Sequence, residues 1–92
     1  MPVIDHSLPG AELVEEGIAD LADGRESVNA LLVTIGRTRL ADAGLDVPVG
    51  PPDAEIRLYL MLRDQHGDDA HGQYNALVRR LVSFEHALEC AR

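Results

Sequence analysis

The chain has no lysine and no tryptophan, and Tyr59, Tyr74 and Phe84 are its only aromatic residues. Its eight bases are all arginines and stand against sixteen acids, for a formal charge of −8. That balance lacks the clustered cations a phosphate backbone requires, so no nucleic-acid partner is expected. The lone cysteine, Cys90, rules out a disulfide within the chain and fits a cytoplasmic compartment. No apolar run approaches the roughly 18 residues of a membrane span, so no membrane partner is expected. Met1 to Gly10 lack the basic start and apolar stretch of a secretory signal. Missing too are a glycine-rich phosphate loop, a nucleophile elbow and a cysteine pair.

What is present is helical rhythm. Ala70, Tyr74, Leu77, Leu81, Phe84 and Leu88 recur at spacings of four and three, which places them on one stripe of a helix. With 92 residues, the chain has room for one domain spanning 1–92 and one small core. Ser7 offers an N-cap with Pro9 in the first turn, and a first helix then runs to a stop at Gly24. A second helix is expected from Arg25 to Ala43, stopped by Gly44. Its apolar arc of Val28, Leu31, Leu32, Val33, Ile35 and Leu40 is wide enough to be contacted from two sides. Gly36 lies inside that arc, where it would let a neighbouring helix approach closely.

The segment 45–52 holds three prolines and a glycine and is a linker, its apolar side chains laid across the helices. Asp53 caps a third helix. Within it Ile56, Leu58, Tyr59, Leu60, Met61 and Leu62 are apolar nearly all round, which predicts the most buried stretch of the chain. A break or kink near Gly67 separates this helix from the last one, although the final stripe continues backwards in phase through Gly67, Arg63, Leu60 and Ile56. Met1 to His6 form a short N-terminal arm. The expected fold is an all-α bundle of three to four helices.

Two places carry candidate chemistry. His66, Asp68, Asp69 and His71 put imidazoles and carboxylates within six residues, a donor set suited to a divalent metal. On a continuous helix the two histidines would diverge by about 140°, so only a loop brings them together. Asp64, Asp68 and His71 share a face if the helix is unbroken. On the first helix Glu12, Glu15, Glu16, Asp20 and Asp23 form an acidic face able to meet a basic protein partner. Glu85, at the edge of the final stripe, needs a counter-charge, and Arg39 is the natural one. Cys90 has little near it in sequence to activate its thiol.

These residues point to a small acidic non-enzymatic helical protein that self-associates through its last two helices or docks on a larger partner. The alternative is a metal-binding or catalytic bundle built on His66–His71. No cofactor is predicted.

Overall fold

A computed structural model describes residues 7–90, which form helices and connecting turns without a strand. The helices are α1 (Ala11–Ala22), α2 (Val28–Ile35), α3 (Arg37–Asp42), α4 (Ala54–His66) and α5 (Ala70–Cys90). A single 3₁₀ turn, Gly67–Asp69, joins α4 to α5. The expected arm over residues 1–6 lies outside the described residues.

Two helix starts differ from the sequence expectation, one set by backbone geometry and one by a side-chain cap. Gly10 has φ 79°, a left-handed conformation that cannot sit inside a right-handed helix, so α1 begins at Ala11 and not after Ser7. Gly24, at φ 75°, ends α1 as expected. The next helix is capped by Ser27 rather than starting at Arg25. The Ser27 hydroxyl accepts from the Ala30 N–H at 3.1 Å and donates to Asp20 at 2.6 Å. The single helix expected over 25–43 is two helices, α2 and α3, separated at Gly36.

Two helical hairpins stack to make the bundle. In the first, α1 lies against α2, crossing at Gly17, where an added Cβ would stand 2.4 Å from the Asn29 carbonyl oxygen and 2.8 Å from Val33. In the second, α4 folds back on α5. Tyr59, before the turn, and Tyr74, after it, meet edge to face, with ring centroids 6.3 Å apart. The wide arc of α2 is covered by α1 and by α4, with a lesser contact to α5. Between the hairpins, Phe84, Leu31, Leu32, Leu40, Leu58, Leu62, Val14 and Val33 are sealed from solvent. Each such side chain contributes about 1.5–3 kcal/mol by leaving water. The linker over 45–52 buries Leu45 and Val47 on this core, and the Arg37 Nε–H donates to the Val47 carbonyl at 3.1 Å. Val49 of the same linker stays outside, 81% exposed.

Gly67 decides the second hairpin. Its φ of 60° and ψ of −125° interrupt a helix that the apolar phase alone would have continued. Ile56 and Leu60 are in phase with the α5 stripe on a straight helix. Once the chain reverses at Gly67, α4 must turn Ala54, Leu58 and Leu62 inward, which leaves Ile56 and Leu60 facing out. The α4 segment is therefore not the most buried stretch of the chain. No helix among the described residues is long and apolar enough to cross a membrane.

Candidate interaction surface

The outward side of α4 follows from Ala54, Leu58 and Leu62 packing on the core, and ion pairs tie down its first turn. Asp53 sits at the N-cap position but makes no capping hydrogen bond. Its carboxylate instead accepts from Arg57 Nε at 2.6 Å, and Arg57 Nη1 reaches Glu26 at 2.8 Å. The arginine hydrogen bond is the chief reason the Asp53 carboxyl is held below the usual carboxylate range. These bonds tie the start of α4 to the segment between α1 and α2.

With α4 held in that rotation, Ile56, Tyr59 and Leu60 stand at i, i+3 and i+4 on one outer face. Ile56 is 64% exposed and Leu60 54%. Tyr59 leans toward α5, where its ring packs on Tyr74. Between the helices runs an open groove of about 380 Å³, lined by Ile56, Tyr59, Leu60, His71, Tyr74 and Asn75, with Glu55 at its end. Burial, and then the negative charge of Glu55, push the Tyr74 hydroxyl pKa up, so it stays a neutral donor. A second open groove, about 580 Å³, continues from Ile56 and Glu55 to Val49. Along α5, Val78 and Val82 follow His71 and Asn75 on the same helical line, and Val82 is exposed. The exposed large apolar side chains, Val49, Ile56, Tyr59, Leu60 and Val82, are thus on the linker, α4 and α5, with Val49, Ile56, Tyr59 and Leu60 joined by the two grooves.

The other candidate residues are dispersed or already engaged. His66 ends α4, Asp68 and Asp69 lie in the 3₁₀ turn, and His71 is in the first turn of α5, all exposed. Asp69 accepts from Gln73 at 2.8 Å, while His71 lines the apolar groove. Among the described residues no group of three or more His, Cys, Asp or Glu is placed to hold a metal ion. The turn also takes Asp64 out of helical phase with Asp68 and His71.

The acidic residues of α1 spend much of their hydrogen-bonding capacity inside the molecule. Glu16 accepts from Asn29 at 3.0 Å, Asp20 from Ser27, and Asp23 from Arg25 at 3.3 Å. Glu12 lies 3.7 Å from Arg80. Glu15 is exposed beside them.

Glu85 and Arg39 meet as expected, 3.5 Å apart, with Glu85 only 3% exposed. Arg39 is shared with Glu89 at 2.9 Å. The second carboxylate oxygen of Glu85 is buried with no hydrogen-bond partner and points at the Gly36 break. Burial therefore raises the Glu85 pKa, against the opposing pull of Arg39. Cys90 is exposed, its Sγ 4.0 Å from His86 Nε2.

The outward role of Ile56 and Leu60 was missed in sequence because the run around them is apolar on all sides. That same all-round pattern was the available signal, since one helix in a small bundle has only one face to bury. No family model matches the chain, and no curated protein or solved structure is significantly similar to it.

Proposed function

We propose that this chain is a non-enzymatic helical interaction module that associates with a second copy of itself through the outer face of α4 and α5. The observation that carries the reading is the exposure of Ile56 and Leu60 side by side on a helix whose Ala54, Leu58 and Leu62 are buried in the core. Apolar surface of this kind, rimmed by polar groups, is characteristic of association sites. A chain of this length also gains from extending its small core across a partner.

Light scattering on a sizing column tests it. At micromolar concentration the wild type is expected at twice the chain mass of 10.0 kDa. Leu60→Asp, at an exposed position, is expected to keep the helical dichroism spectrum and elute at the mass of one chain. A wild type that stays at the mass of one chain throughout the micromolar range contradicts the reading.

A further inference from the structure

The α4 face carries charges as well as apolar groups, and their placement is symmetric. Glu55 and Arg63 lie four residues before and four residues after Tyr59. Both are exposed, and neither forms an ion pair with another described residue. The remaining charges on the first turns of α4, Asp53 and Arg57, are paired with each other and with Glu26.

An interface between identical copies related by a two-fold axis must be complementary to itself, so that what residue i meets at j, residue j meets at i. We propose that the two copies pair with their α4 helices antiparallel and the two-fold axis beside Tyr59, so that Glu55 of each copy forms an ion pair with Arg63 of the other. This rests on the self-association proposed above and specifies its geometry.

The helical rise supports the register. With Tyr59 at the axis, Glu55 and the partner's Arg63 stand at the same height, about 6 Å from it. Ile56 then lies within about 3 Å of the height of the partner's Leu60, which brings the apolar groups together between the two charge clasps. A parallel pairing would instead set Glu55 against its own copy and Arg63 against its own copy, two like-charge contacts that disfavour it. The groove between α4 and α5, with Glu55 at its end and Tyr59 along its wall, gives the partner's side chains a recess to enter.

Charge reversal tests the register separately from the association. Glu55→Arg alone places Arg against Arg in both clasps of its own dimer, and Arg63→Glu alone places Glu against Glu. Each is expected to weaken self-association roughly tenfold or more, read by sedimentation equilibrium. Mixing the two single variants in equal amounts restores Arg–Glu pairing in both clasps, so a mixed dimer is expected with wild-type affinity. The double variant Glu55→Arg/Arg63→Glu is expected to recover as well, and recovery on mixing shows that each single variant still folds. A wild-type dimer that neither single variant weakens, or single variants that do not recover on mixing, overturns the antiparallel register and leaves self-association standing. A wild type that remains monomeric overturns both.

Discussion

Gly17 sets how closely α1 and α2 approach. Alanine is the better helix former by about 1 kcal/mol, so propensity alone would favour it at this position. Packing opposes it, because the new methyl would fall within 2.4 Å of the Asn29 carbonyl oxygen, a backbone atom that cannot turn aside. Gly17→Ala is expected to destabilise the fold by roughly 1–3 kcal/mol in urea denaturation. Gly36→Ala is expected to cost less. The methyl there meets the Leu81 side chain and Glu85 Oε2, groups that can swing away.

Glu85 carries the second consequence at this scale. Its pKa is raised in the folded state, so its ionised form weakens the fold at neutral pH. That cost is removed as pH falls through the folded-state value toward the ordinary glutamate value of about 4.3. Glu85→Gln is neutral throughout, so it is expected to gain melting temperature relative to wild type near pH 7–8. The gain should shrink as the pH is lowered to about 4, where wild-type Glu85 is also neutral. A difference in melting temperature that does not vary with pH would show that burial does not perturb this carboxyl.

At the scale of elements, the reversal at Gly67 shapes the molecule most. Its backbone lies where side chains are disfavoured, though nothing within 4 Å would obstruct a methyl. Gly67→Ala is therefore expected to act through backbone strain alone and to cost roughly 1–3 kcal/mol, measured by the same denaturation. The α5 stripe was legible because four-and-three spacing over nineteen residues has no alternative reading, and Ala70, Leu81 and Phe84 are buried as it requires. Gly24 and Gly44 were legible as stops for the same local reason, and both take positive φ. The division of α2 from α3 at Gly36 was not legible. A glycine within an apolar arc looks the same in sequence whether it admits a neighbour or ends a helix, and here it does both. The start of α1 was misplaced because the conformation of Gly10 depends on the turn over Leu8 to Ala11, not on the nearest capping residue.

For the whole molecule, the fold was visible in the sequence and its outer surface was not. Periodicity reports that a helix has an apolar side but not which side an all-round apolar helix turns inward. That choice is made by Leu58 and Leu62 packing on the core, and Ile56 and Leu60 are left outside as its consequence. Closeness in sequence did not decide how the site candidates fared. The Glu85–Arg39 pair could be anticipated from one buried charge needing another. The His66–His71 group was close in sequence, but a turn of three residues spreads its members over two helix ends.

The central claim is that a second copy covers Ile56, Tyr59 and Leu60. Hydroxyl-radical footprinting at two protein concentrations, one below and one above the association midpoint, reads this at the side chains themselves. These three residues are expected to lose reactivity at the higher concentration while His66, exposed at the far end of α4, keeps its own. Equal reactivity of Ile56, Tyr59 and Leu60 at both concentrations would contradict the claim.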